Sequence, residues 1–101
     1  MKILALEKEL PGATPGTLQR FAKAEARAAW ELHQAGAIRE LYFRADRHEA
    51  VLVLECDSTE AAERVLASLP FVREGLITFE LIPLVAYPGF ARLFAEDSAV
   101  E

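Results

Sequence analysis

Cysteine is nearly missing from this chain. Cys56 stands alone, so no internal disulfide can form and packing must hold the fold. Positive charge is also scarce. Lys and Arg number 11 against 16 Asp and Glu, a net charge of -5, with the bases interspersed among glutamates. A nucleic-acid partner needs a basic stripe that displaces phosphate counterions, and none is present. No apolar run reaches the roughly 18 residues of a membrane span. The opening MKILALEKEL lacks a full hydrophobic region and a small-residue cleavage site, so it reads as a strand and not as a signal peptide. His33 and His48 belong to no HxxxH, CxxC or acidic cluster, and no metal site is expected. A Gly-rich phosphate loop and a GxSxG elbow are both lacking, which leaves nucleotide and serine-hydrolase chemistry without a foothold. These absences lead us to expect a soluble, cytoplasmic protein with neither nucleic-acid nor membrane partners.

What is present is apolar. A chain of 101 residues is expected to form one domain over residues 1–101, burying roughly two-thirds of its unfolded surface. A hydrophobic share of 52% is high for so small a core and points to apolar surface hidden between subunits. Lys2–Lys8, with Ile3, Leu4 and Leu6, predicts a first strand, broken by Pro11-Gly12. Thr14 followed by Pro15 is a helix start: a hydroxyl to accept an orphan N–H, then a residue that has none. That helix should run from Pro15 to Ala35, with Gly36 at the position after its cap. Ile38–Arg44, rich in β-branched and aromatic residues, predicts a second strand, and Ala45–His48 a hairpin turn.

Ala50–Cys56 is an almost unbroken apolar run, the pattern of a strand buried on both faces. Asp57-Ser58 should open a second helix, with Glu60 reaching back as in a capping box. Its core stripe is Ala62, Val65, Leu66 and Leu69, and Pro70 should end it. Leu76–Ile82 predicts a fourth strand, with Ile77, Phe79 and Leu81 on one face and Thr78 and Glu80 on the other.

The order βαββαβ is that of the ferredoxin-like α+β fold: a four-stranded antiparallel sheet with two helices on one face. Its other face is bare. The doubly apolar third strand implies that something covers it, and the same face of a second copy does so most simply. A dimeric α+β barrel is therefore expected. Leu84, Val85, Tyr87, Phe90, Leu93 and Phe94 follow the last strand, so residues 84–101 read as a C-terminal arm, packed on a neighbouring subunit or, in the competing reading, on its own domain.

On a wheel of about 100° per residue, Leu18, Phe21, Ala22, Ala28, Ala29 and Leu32 share one face of the first helix, and Glu25 falls in its middle. A carboxylate among apolar neighbours has its pKa raised by desolvation, which suits a general acid or base near neutral pH. The competing reading pairs Glu25 with a basic residue. Glu80, on the last strand, is a second carboxylate candidate. Arg39 offers a planar fork to an anionic substrate, or serves as a surface ion-pair partner. His48 is a proton-transfer candidate in the hairpin. Trp30 and Phe71 are candidate walls of a pocket or of a subunit contact, and the apolar LPFVREG run at residues 69–75 reads as a connector at the mouth of the barrel.

The run from Glu25 through Gly36-Ala37-Ile38-Arg39-Glu40-Leu41-Tyr42, then Arg44 and His48, then Leu69-Pro70-Phe71, resembles muconolactone isomerase, and Tyr87-Pro88 extends the likeness. It covers roughly residues 2 to 90; each motif is short, and their order and spacing carry the resemblance. It implies a dimeric α+β barrel that assembles into larger rings. It also implies a cofactor-free, proton-moving isomerisation of a small unsaturated lactone acid in aromatic-compound breakdown. Glu25 is then the acid–base residue and Arg39 the partner of the substrate carboxylate; Tyr42, on the same strand as Arg39, is a further substrate-binding candidate opposite Glu25. In that family a Lys follows the Glu matched by Glu25; here the place is Ala26. Asp46-Arg47-His48 replaces the family's Gly before His. Two further readings use the same barrel: a non-catalytic small-molecule binder, and a cofactor-independent monooxygenase, for which Trp30 and His33 are neighbours on the helical wheel.

Overall fold

In the computed structural model, residues 1–96 are described. Strand β1 (Lys2–Glu9) is followed by α1 (Pro15–Gln34), β2 (Ile38–Phe43), β3 (Ala50–Glu55), α2 (Thr59–Ala67), α3 (Pro70–Arg73), β4 (Ile77–Leu84) and a 3-10 turn at Gly89–Leu93. The four strands form one sheet in the order β2-β3-β1-β4, with every neighbouring pair antiparallel. This is the ferredoxin-like α+β arrangement that the sequence predicts.

Local chemistry sets the ends of α1. Thr14 caps it by accepting from the Thr17 N–H, and the Thr17 hydroxyl accepts in turn from the Thr14 N–H at 2.9 Å. Ala35 closes the helix, and Gly36 takes a φ of 85°, the left-handed conformation that glycine adopts without a Cβ penalty. Ser58 caps α2 by accepting from Ala61 N–H at 3.0 Å. Glu60 lies one position too early for the expected capping box, whose acidic residue sits at the third helical position. Pro70 does not merely stop α2. That helix ends at Ala67, and Pro70 occupies the first position of α3, where its missing N–H costs nothing. Leu69 before it is extended, as a residue preceding proline tends to be.

Side chains alternate across the sheet. Ile3, Ala5, Leu52, Leu54 and Ile38 face the helices and pack with Ala62, Leu66 and Leu69 into the buried core. Cross-strand partners share a face, so Leu4, Leu6, Val51, Val53 and Ile82 line the opposite side. Those five stay only half-buried, with no helix or strand among the described residues packed above them. Beyond β4 the chain leaves the body: Val85 is 93% exposed and Phe94 87%. The last part of the expected arm, residues 97–101, lies outside the described residues.

Candidate active site

Ala22, Glu25, Ala26 and Ala29 lie at i, i+3, i+4 and i+7 on α1 and line a cavity of about 290 Å³ between that helix, α3 and the sheet. Three alanine methyls are too short to fill the gap beneath the helix, so the space persists. Leu41, Phe43, Leu69, Phe71, Ile77 and Phe79 complete an apolar wall.

Glu25 projects into this space half-buried. Its Oε1 accepts from the Phe71 N–H at 2.8 Å. Phe71 is the second residue of α3, where the backbone N–H has no partner within the helix. No Lys or Arg forms an ion pair with Glu25 among the described residues. Burial pushes its pKa above the ordinary carboxylate range; the Phe71 bond opposes the rise, Glu7 adds to it, and the positive charge of Arg73 opposes it.

Glu7 is the other titratable side chain lining the cavity, and no motif in the sequence had pointed to it. Its Oε1 accepts from the Ala50 N–H at 3.1 Å. Burial raises its pKa too, against the Ala50 bond, with Glu9 and Glu49 raising it and His48 lowering it. Ile3, Ala5 and Glu7 occupy alternate positions of β1, so strand parity was the signal that could have found it.

The remaining candidates divide between the two sides of the sheet. Phe71 belongs to the cavity wall as well as supplying the donor to Glu25. His48 stacks on Phe43, a wall residue, with ring centroids 4.2 Å apart and planes 18° apart, and so stands at the rim. Trp30 is 60% exposed. It lines a shallower pocket that shares Ala26, Ala29 and Leu41 with the cavity, and its ring lies 6.2 Å from His33.

Arg39, Tyr42 and Glu80 do not line the cavity. Tyr42 pairs across the sheet with Val51, and Glu80 with Leu6, which puts both on the open face. The Tyr42 hydroxyl donates to Glu40 Oε1 at 2.6 Å. Arg39 Nε donates to the Gly36 carbonyl at 2.7 Å, near the end of the sheet where β1 begins, whereas Glu7 lies toward the other end of β1. The register shift between Ile38 and Glu40 explains this. Simple alternation from Ile38 turns Tyr42 inward. The bulge at Arg39 inserts one residue, so Leu41 and Phe43 face the helix and Tyr42 faces away.

A ferredoxin-like sheet under a long helix, enclosing an apolar cavity with inward carboxylates, defines a protein of the α+β barrel class. The chain belongs to the muconolactone delta-isomerase family, whose profile matches residues 5–89. Its fold is similar to that of crystalline muconolactone isomerase, with a TM-score of 0.72 and 23% identity over 87% of this chain and 92% of that one. It also resembles the 5-chloro-2-hydroxyhydroquinone dehydrochlorinase of Burkholderia phenoliruptrix, solved in complex with 2,5-dihydroxybenzoquinone. There the TM-score is 0.66 at 16% identity, over 88% and 98% of the two chains. At such identities these two likenesses establish the fold alone. No curated protein matches the sequence.

Proposed function

We propose that this protein is a cofactor-independent isomerase that relocates a proton on a small unsaturated lactone acid from aromatic-compound breakdown. The observation that carries the reading is Glu25: a half-buried carboxylate in an apolar cavity, with no ion-pair partner among the described residues and one oxygen held by a backbone N–H. A carboxylate paired to Lys or Arg would be a structural feature. One held only by a neutral donor keeps its second oxygen for a substrate proton. Membership of the isomerase family supports the same reading.

In this mechanism the lactone ring occupies the cavity. Glu25 removes a proton from a ring carbon activated by the carbonyl, and the electron pair passes into the conjugated system toward the carbonyl oxygen. A proton returns one carbon pair away, and the double bond has moved. Among the described residues no Lys or Arg lines the cavity, so the acid group stays outside it, at the rim near His48, and not on Arg39. Work in the cytoplasm and self-association through the open sheet face belong to the same proposal.

The test is incubation with muconolactone, following the double-bond shift by absorbance. Turnover lost in Glu25→Gln supports the reading. A folded wild-type protein without turnover overturns it, and a ligand-dependent rise in Tm in that case identifies a non-catalytic binder. The cation-free wall also favours a second reading, in which the same carboxylate deprotonates a neutral hydroxylated or quinoid ring.

A further inference from the structure

We propose that Glu7 is the second acid–base group of the cavity: Glu25 removes the proton from one face of the substrate ring, and Glu7 delivers a proton to the other. The proposal rests on the isomerase reading above and extends it to a residue on a different layer of the fold.

The geometry is that of two carboxyls entering one cavity from opposite walls. Glu25 comes from α1, above the space. Glu7 comes from β1, on the helix-facing side of the sheet, opposite Phe79 of β4. Each is fixed by one backbone N–H from a third element, Phe71 for Glu25 and Ala50 for Glu7, and each keeps its other oxygen for the cavity. A planar ring lying between helix and sheet presents one face to each carboxyl. Among the described residues no other titratable side chain lines the space, and Ala26 contributes only a methyl. If a second group donates or accepts there, it is Glu7.

Electrostatics couple the two groups: the charge of Glu7 raises the pKa of Glu25, and ionised Glu25 beside protonated Glu7, the reactive arrangement, is one of the two ways the pair shares a single proton. Two carboxylates in an apolar enclosure cannot both ionise cheaply, so over part of the pH range one holds a proton while the other is charged. The pair titrates as a coupled system. The charges facing it are Glu9 on β1 and His48 and Glu49 of the β2–β3 turn around Glu7, with Arg73 of α3 acting on Glu25.

The step balances without an oxidant or reductant. Ionised Glu25 takes the proton as the C–H pair enters the conjugated system and the carbonyl oxygen gains charge. Protonated Glu7 then gives its proton to the far carbon as that pair returns. Glu25 ends protonated and Glu7 ionised, and a proton passing from one to the other through water resets the pair.

The experiment compares wild type, Glu7→Gln and Glu7→Asp on muconolactone across pH, with the reaction repeated in D2O. The wild-type rate should rise as the pair loses its first proton and fall as it loses its second, giving a bell. Glu7→Gln keeps an acceptor for the Ala50 N–H, and its turnover should drop by about 100-fold or more with the alkaline limb gone. Glu7→Asp should keep that limb at a reduced rate. Wild-type product formed in D2O should carry solvent deuterium at the new C–H. Glu7→Gln with wild-type turnover and both limbs overturns the role of Glu7. Retention of the substrate's own hydrogen at the new position overturns it without any variant. A wild-type protein that fails to turn over muconolactone overturns the isomerase reading instead, so the two failures are distinct.

Discussion

The burial that suits Glu25 to the proposed proton transfer works against stability. Its folded pKa lies above the unfolded one because burial penalises the charge. Such a group favours folding fully only below its unfolded pKa, and that contribution is lost as pH rises through the folded value. Glu25→Gln keeps the acceptor for Phe71 N–H and removes the penalty. Its Tm should match wild type below pH about 4.3, the ordinary glutamate value, and exceed it at neutral pH. Turnover should fall by about 100- to 10,000-fold, the usual worth of a positioned general base. A parallel melting series across pH checks the sign, and a variant less stable than wild type at neutral pH contradicts the desolvation account. Glu25 was legible from the helical wheel because helix periodicity fixes direction. Glu7 was hidden in the run Glu7-Lys8-Glu9, which looks like a solvated strand end until its parity with Ile3 and Ala5 is followed. Tyr42 was misdirected by a bulge that no local residue pattern announces.

Among the elements, α3 shapes the site most for its size. The Leu69-Pro70 pair reads as a stop, yet proline at the first position also starts a helix, and only packing decides between the two. α3 turns the Phe71 N–H toward Glu25 and the Phe71 ring into the cavity wall. The apolar residues of LPFVREG are thereby explained without a surface connector. Phe71→Ala separates the two roles, because the backbone donor survives while the wall opens. Water then reaches Glu25, and desolvation, the largest cause of its raised pKa, weakens. The acid limb of the pH–rate profile should move to lower pH, and KM should rise by about 10-fold or more from lost apolar contact. An unmoved limb would mean that the ring does not shield the carboxylate. The order of strands and helices was readable throughout, since it depends on local periodicity; the short helix was not, since four residues carry no period.

At the scale of the whole molecule, two apolar surfaces are left open by the described residues. The first is the open sheet face, where Leu4, Leu6, Val51, Val53 and Ile82 spread over three strands. A second copy placed on it by a two-fold axis buries the same residues from both sides. Val53 lies on an inner strand of this face, so Val53→Lys puts a charge within the contact. Light scattering should then show each sheet-to-sheet pair split, and Tm should lose its dependence on protein concentration. Unchanged mass in a folded variant removes this face as the contact.

The second surface is the arm. A compact chain of this length has a radius of gyration near 13 Å, whereas this one reaches 17.9 Å and extends 65 Å along its longest axis. The difference arises because the chain after β4 runs outward with Tyr87, Phe90, Leu93 and Phe94 between 66% and 87% exposed. Tyr87 and Phe90 meet only edge to face, with centroids 5.0 Å apart, which hides little of either ring. Apolar area left in water lowers no free energy, and at about 25 cal/mol per Å² its burial on a neighbour is favourable. In the proposed assembly a two-fold partner covers the sheet face and a further subunit covers the arm. Removing residues 86–101 should therefore leave the sheet-to-sheet pair intact and abolish any larger ring, a stepwise loss of mass by light scattering. An assembly of unchanged size after truncation would mean that the arm folds back on its own pair and that any larger assembly is held by the barrel alone.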